Sequence, residues 1–116
     1  MAAANTPFLL LSNTALNTGD NVFPISTFSP GPSGQHPTKL MLVVRAHSLV
    51  TGPLTLRVEY SYDGTNWFGG DPAQTMTAIN AAGGAAKSFD IQFPIMRVVA
   101  NLTAGSCAMT LWCAAV

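Results

Sequence analysis

The stretch from Leu54 to Tyr62 alternates strictly between apolar and polar side chains, and it constrains the fold more than any other part of the chain. Because a strand points successive side chains to opposite faces, this alternation predicts a strand with one apolar face and one polar face. Asp63-Gly64 comes next, and Asp-Gly between alternating runs is a strong signal for a tight β-hairpin. We therefore expect a return strand to begin over residues 65–68.

The rest of the chain consists of short apolar runs bounded by clusters of Gly, Pro, Asn and Ser. They amount to about seven to nine short strands with a turn signal roughly every 8–12 residues, and no segment has the period of an amphipathic helix. This pattern predicts an all-β fold, a single antiparallel β-sandwich of the jelly-roll or Ig-like type. A length of 116 residues suits one domain over 1–116. Residues 1–6 are small and polar, so we expect a flexible or partner-ordered N-terminal arm.

Three runs indicate where their strands lie in the sheets. Thr38 to Val50 is apolar on both faces as far as Val44, and the C-terminal run places Trp112 on the face opposite its two cysteines. Such strands are either central and covered on both sides, or their second face meets another subunit. Pro24 cannot donate a ladder hydrogen bond, so its strand is expected at a sheet edge or broken at a bulge.

Composition points to a surface that other subunits cover. Charged residues make up 9% of the chain, against about 25% in an average soluble domain, and the formal net charge is zero. A free monomer needs charge to stay dispersed, so we favour a homo-oligomer over a monomer coated with Thr, Ser, Asn and Gln. Five basic residues form no stripe that would bind nucleic acid. Neither a signal peptide nor a run of about 18 apolar residues is present, so we expect folding in the cytosol and no membrane span.

No constellation of residues indicates catalysis or a metal site. His36 and His47 lie in a predicted loop and on a strand face, no Gly-x-Ser-x-Gly elbow accompanies them, and polar surface histidines are the simpler reading. Cys107 and Cys113 would share one face of a strand about 20 Å apart, too far for a disulfide, so both are expected to be buried free thiols. Two cysteines and two distant histidines do not supply four zinc ligands. We expect no enzyme activity, no cofactor and no metal.

Exposed apolar and aromatic residues are the better functional candidates. Tyr60, Tyr62, Trp67 and Phe68 cluster around the predicted hairpin, where Tyr60 is assigned to the core while Tyr62 and Trp67 suit either the core or a binding surface. The loop over residues 29–37 is rich in Pro and Gly and is expected to face solvent or a partner. The candidate interface residues are Phe8, Leu10, Pro30, Pro32, His36, Tyr62, Trp67, Trp112 and Val116.

The segment Leu56 to Trp67 contains the sequence Ser-Tyr-Asp-Gly-Thr-Asn-Trp after its strand. It resembles the strand and S-x-D-G-x-N-W hairpin of small β-sandwich virion proteins of tailed bacteriophages, including head decoration (cement) proteins and accessory domains of tail proteins. The resemblance covers about a dozen residues. It implies a non-enzymatic structural role, often as a trimer seated on a lattice of the major capsid protein. No binding residues are implied, because the motif is a turn.

Two functions of different classes follow. The first is a capsid decoration protein, made in the host cytoplasm and placed on the virion surface, that stabilises the phage head by binding across capsid-subunit junctions as an oligomer. The second is a carbohydrate- or receptor-binding module of a phage tail or fibre, with Tyr62, Trp67 and Phe68 as its stacking surface.

Overall fold

The computed structural model describes residues 8–25, 39–69, 75–91 and 95–115. Within these ranges the chain forms seven β-strands and no helix. The strands are β1 (Phe8–Ala15), β2 (Gly19–Ile25), β3 (Lys39–Thr51), β4 (Leu54–Ser61), β5 (Gly83–Asp90), β6 (Ile95–Leu102) and β7 (Gly105–Ala115).

The strands form two sheets that pack face to face. One sheet has four strands in the order β1-β7-β3-β5, and the other has three in the order β2-β6-β4. Every pairing between neighbouring strands is antiparallel. The prediction of a single antiparallel β-sandwich is therefore confirmed. β3 and β7 are interior strands of their sheet, but Val43 and Trp112 on their second face are exposed, so no described residue covers that face. The predicted edge position of β2 is confirmed, since Pro24 pairs on one side only.

The core lies between the two sheets and is built from alternate residues of β3, β4, β6 and β7, with single residues from β2 and β5. On β3, Leu40, Leu42 and Val44 have no exposed surface, and Leu54 begins the equivalent buried row on β4. Each large apolar side chain buried in this way contributes about 1.5–3 kcal/mol relative to exposure. The other fully enclosed members of the core include Leu56, Val58, Val98, Leu102, Met109 and Leu111. Tyr60 is in the core as predicted, and its hydroxyl donates to the backbone carbonyl of Asp90 at the end of β5.

Both cysteines lie on the buried face of β7 and are free thiols, which confirms the prediction from their spacing. Burial raises the pKa of Cys113 to about 12. Since the thiolate is the reactive form, this side chain acts as a small apolar core residue at neutral pH.

The predicted return strand over residues 65–68 is wrong except at its last residue. Phe68 alone pairs with Tyr60, through two backbone hydrogen bonds of 2.8 and 2.9 Å between the two residues. A seven-residue loop between these two residues therefore replaces the tight two-residue turn. The physical reason is that Ser61 and Asp63 bind the backbone amides of the loop with their side chains, which offers the backbone an alternative to a ladder.

The start of β5 also differs from expectation. Residues 80–86 are expected to form a loop because of their paired glycines. Instead, β5 begins at Gly83, which pairs with Ala46, and it continues antiparallel to β3 without a register shift. Backbone hydrogen bonds to β3 do not require side chains, so the ladder extends over Gly83 and Gly84. The alternation over residues 74–79 also predicts a strand, but the described residues of this range form only isolated bridges to β4, from Thr75 and Ile79.

A substitution at Gly105 tests the junction between β3 and β7. Gly105 has a φ of +84°, and an added Cβ would lie 1.8 Å from the carbonyl oxygen of Val50. Gly64 has a similar φ of +80° but open space around it. We expect Gly64→Ala to cost about 1 kcal/mol of unfolding free energy, and Gly105→Ala to cost clearly more, because it adds a backbone clash to the strain. Urea unfolding of both variants measures the difference, and equal costs would contradict the described junction.

Candidate interaction surfaces

The outer face of the four-stranded sheet carries a row of exposed apolar side chains. Leu9 of β1 pairs with Trp112 of β7, and Trp112 pairs with Val43 of β3. Their exposed fractions are 44%, 44% and 46%. Ala86 of β5 continues the row beyond Val43. We call these residues, Leu9, Trp112 and Val43 with Ala86, the apolar face.

Basic and polar side chains lie next to the apolar face on one side. Arg45 lies two residues after Val43 on β3, on the same outer face, and pairs in register with Thr110 and Gly84. No carboxylate among the described residues forms an ion pair with Arg45. The exposed His47 contacts the Thr110 hydroxyl through its Nε2 at 2.6 Å. An open depression of about 690 Å³ lies beside them, over β3 and the part of β5 that consists of Gly and Ala.

A second surface lies on the other sheet, where residues 61–68 follow β4. Ser61 is fully buried, and its hydroxyl accepts hydrogen bonds from the amides of Gly64 at 2.7 Å and Asp63 at 3.2 Å. Asp63 Oδ1 accepts from the amides of Thr65 and Asn66, both at 2.8 Å, and Asp63 Oδ2 accepts from the Asn66 side-chain amide at 2.7 Å. These bonds give the segment one defined shape without a strand ladder.

Two aromatic rings project from this segment. Tyr62 and Phe68 are 64% and 52% exposed, and their rings stack with centroids 5.6 Å apart and an interplanar angle of 23°. Trp67 is not part of this pair: it is half-buried, and the guanidinium of Arg97 lies over its ring at 4.2 Å. We call Tyr62, Asp63 and Phe68 the aromatic loop. It presents apolar area next to an exposed carboxylate.

The outer face of the three-stranded sheet has a different character. Glu59 is 12% exposed and binds Arg57 at 3.1 Å and Arg97 at 2.7 Å, while Arg57 reaches Asp20 at 3.2 Å. Asn101 donates to Asp20, and this hydrogen bond together with that from Arg57 holds the pKa of Asp20 below its usual value. The network spans all three strands, so charged side chains cover most of this sheet, and Val22 is an exposed apolar residue at its β2 edge.

The structure brings only some of the predicted interface residues to these surfaces. Trp112 and Tyr62 lie on the apolar face and the aromatic loop. Leu10 packs against the core, and its neighbour Leu9 takes the outward position. Phe8 begins β1 opposite Cys113. Pro30, Pro32, His36, Val116 and the predicted arm over 1–6 lie outside the described residues.

Several residues of the surfaces were not among the sequence candidates for an interface. Leu9 and Val43 are ordinary members of apolar runs, and only the register of β1, β7 and β3 aligns them with Trp112. Arg45 is distinguished by having no ion-pair partner among the described residues. The alternation along β3 indicated part of this surface, because it placed Val43 and Arg45 together on the second face of that strand.

The described residues contain no group of three or more His, Cys, Asp and Glu side chains arranged to hold a metal ion. In the same four ranges no helix is long and apolar enough to cross a membrane. No protein-family model matches the sequence, and no curated protein matches it significantly.

The pH dependence of the aromatic loop tests its hydrogen bonding. The amides of Asn66 and Thr65 hold the pKa of Asp63 well below its usual 3.8. A lowered folded-state pKa means that the stabilisation by Asp63 is complete above the ordinary value and is lost as the pH falls through the lowered one. We expect the amide NMR signals of both donors to stay constant from pH 7 to about 4 and to shift only in stronger acid. Asp63→Asn, which keeps one carbonyl acceptor, is the control, and a midpoint at or above 3.8 would contradict the geometry.

Proposed function

We propose that this protein is a structural protein of a tailed-phage virion, a decoration protein that stabilises the head by binding across junctions of the major capsid protein as a homo-oligomer, with a trimer as the expected form. The apolar face carries the proposal. Large exposed apolar patches on soluble domains mark surfaces that other molecules cover. The hairpin resemblance of residues 56–67 supports the virion part of the proposal.

The size of the four-stranded sheet suits a protein–protein contact. Strands about 4.8 Å apart and residues about 3.3 Å apart along them give this face an area on the order of 600 Å². A standard interface buries roughly 800 Å² per partner, so the sheet face with its rim approaches that size. Val43 and Trp112 lie on the two interior strands of this area, where aromatic anchors contribute most to binding, and Leu9 lies beside Trp112 on the edge strand β1.

An oligomer would bind a capsid more firmly than its single contacts suggest. A rigid assembly presents several copies of each contact at once, and after the first has formed the others gain through effective concentration. Weak contacts are therefore sufficient for stable attachment to a repeating lattice. The low content of charged residues, 9%, agrees with a chain whose surface is largely covered in its working state.

Particles from the cells that make this protein provide the test. We expect the protein in purified virions in a fixed ratio to the major capsid protein, by quantitative mass spectrometry, with immunogold label on the head surface. Particles made without it should lose their genome at a lower temperature or under milder osmotic shock. The major capsid protein of the same particles is the internal control for yield. Absence of the protein from intact particles, or label confined to the tail, would overturn the proposal.

A second candidate function, glycan or receptor binding, is favoured by the stacked and exposed rings of Tyr62 and Phe68. A sugar ring stacks on such a surface through its apolar face. This function predicts that maltoheptaose, cellohexaose or chitohexaose changes the tryptophan fluorescence, and that Tyr62→Ala removes the change while the fold is retained. The decoration function predicts no response to any of the three, and Val22→Ala on the other edge of the same sheet is the matched control.

A further inference from the structure

Charge is distributed unequally between the two sheets of this neutral chain. The four-stranded sheet carries three Lys and Arg side chains and one carboxylate, namely Lys39, Arg45, Lys87 and Asp90. The three-stranded sheet with the aromatic loop carries two Arg and three carboxylates, namely Arg57, Arg97, Asp20, Glu59 and Asp63. Among the described residues, the four-stranded sheet therefore carries two more positive than negative charges, and the three-stranded sheet with the aromatic loop carries one more negative than positive charge.

Most of these charges are satisfied within the chain. Lys39 pairs with Asp90 at 2.5 Å, and Lys87 donates to the carbonyl of Thr75 at 2.9 Å. Both arginines of the three-stranded sheet bind Glu59 in the network described above. Three charges remain without an opposite charge among the described residues. One is Lys87, whose ammonium binds the Thr75 carbonyl and lies over the Phe89 ring. The other two are the guanidinium of Arg45 and the carboxylate of Asp63, whose hydrogen bonds all come from neutral groups.

Arg45 and Asp63 each border one of the two exposed apolar surfaces. Arg45 lies two residues from Val43 on the outer side of β3, and Asp63 lies directly after Tyr62. The apolar face thus combines apolar area with one free positive charge, and the aromatic loop combines apolar area with one free negative charge. The two surfaces belong to different sheets, so one copy does not bring them together by itself.

We propose that the aromatic loop of one copy docks on the apolar face of the next, so that the rings of Tyr62 and Phe68 cover Val43 and Trp112 while Asp63 pairs with Arg45. The contact buries apolar area from both sides and provides each free charge with a partner of opposite sign. The open depression beside Arg45 gives the loop room to approach.

The alternatives that use one surface twice lack this complementarity. Two apolar faces packed against each other would bring two Arg45 side chains to one interface, where the one described carboxylate of the sheet, Asp90, is already paired with Lys39. Two aromatic loops packed together would bring two Asp63 carboxylates together. Like charges in a desolvated contact are costly, so the head-to-tail arrangement is the one that the charges favour. A head-to-tail contact joins different surfaces, and a rotation that closes turns it into a ring, as a trimer requires.

This inference rests on the oligomeric part of the proposed function and not on the virion itself, and purified protein is sufficient to test it. The face variant is Trp112→Lys and the loop variant is Tyr62→Lys, both at exposed positions. Val22→Lys is the matched control, since Val22 is 43% exposed on β2, away from both surfaces. Light scattering after size-exclusion chromatography and analytical ultracentrifugation report the mass, and circular dichroism confirms folding.

A mixture of the two variants gives the decisive measurement. We expect the parent chain and Val22→Lys to form a closed oligomer, and each of the other variants alone to be a monomer of 12.1 kDa. Mixed in equal amounts, the face variant still offers an intact loop and the loop variant an intact face, so a heterodimer of about twice 12.1 kDa should form. A face-to-face or loop-to-loop contact does not yield this heterodimer, because one partner of each such pair is damaged.

The ion pair is tested separately by neutralising its two members. Arg45→Gln and Asp63→Asn should each weaken self-association roughly 3- to 10-fold, and the double variant should be no weaker than either single one. Asn at position 63 keeps an oxygen for the loop amides, so the loop geometry is retained. Lys39→Gln, which removes a charge already paired with Asp90, is the control and should have no effect.

Several results would overturn the inference. A parent chain that stays monomeric at 100 μM, no heterodimer in the mixture, or an oligomer that survives both lysine variants would each do so. If either lysine variant fails to fold, Val43→Lys replaces the face variant and Phe68→Ser replaces the loop variant, and the same mixture is measured. Failure of these tests with the protein still present on virion heads would leave the decoration function intact and reject only this contact.

Discussion

The structure depends on burying one face of each sheet against the other, since no helix among the described residues and no disulfide contributes to the core. β3 and β7 form the longest pairing, and their inward residues meet the row that begins at Leu54 on β4. Burial on this scale offsets the conformational entropy lost by ordering the chain. Because strands alternate, fixing the inner face also fixes which side chains are left outside.

The outer faces of the two sheets carry different kinds of side chain. On the three-stranded sheet, Glu59 and its arginines form a network across all three strands and cover the buried Val99 of β6. These ion pairs are only partly exposed, and their charges keep this face solvated and separate from other sheets. On the four-stranded sheet the corresponding positions hold Leu9, Val43 and Trp112. The domain therefore covers one outer face with charged side chains and leaves large apolar side chains exposed on the other. A free monomer does not need this asymmetry.

The segment after β4 shows how local side-chain chemistry can override a turn signal. Asp63-Gly64 favours a two-residue hairpin by sequence, but Ser61 and Asp63 use their oxygens on the amides of the following residues. The result is a wider loop that ends in the Tyr60–Phe68 bridge and projects two stacked rings. The chemistry that makes Asp-Gly a turn signal therefore also forms an exposed aromatic surface, and the resemblance to phage sandwich proteins falls on this same segment.

The sequence by itself determined the fold class, the strand around Leu54–Tyr62, the edge position of Pro24 and the free thiols of β7. These follow from the period of two, from the missing donor of proline and from the distance along one strand, all of which are local. The tertiary structure decided what lies together on a surface. Leu9, Trp112 and Val43 are far apart in the chain, and only the register of three strands aligns them. Likewise, Arg45 and Asp63 have no ion-pair partner among the described residues, which is a property of distances in space that no spacing along the sequence expresses.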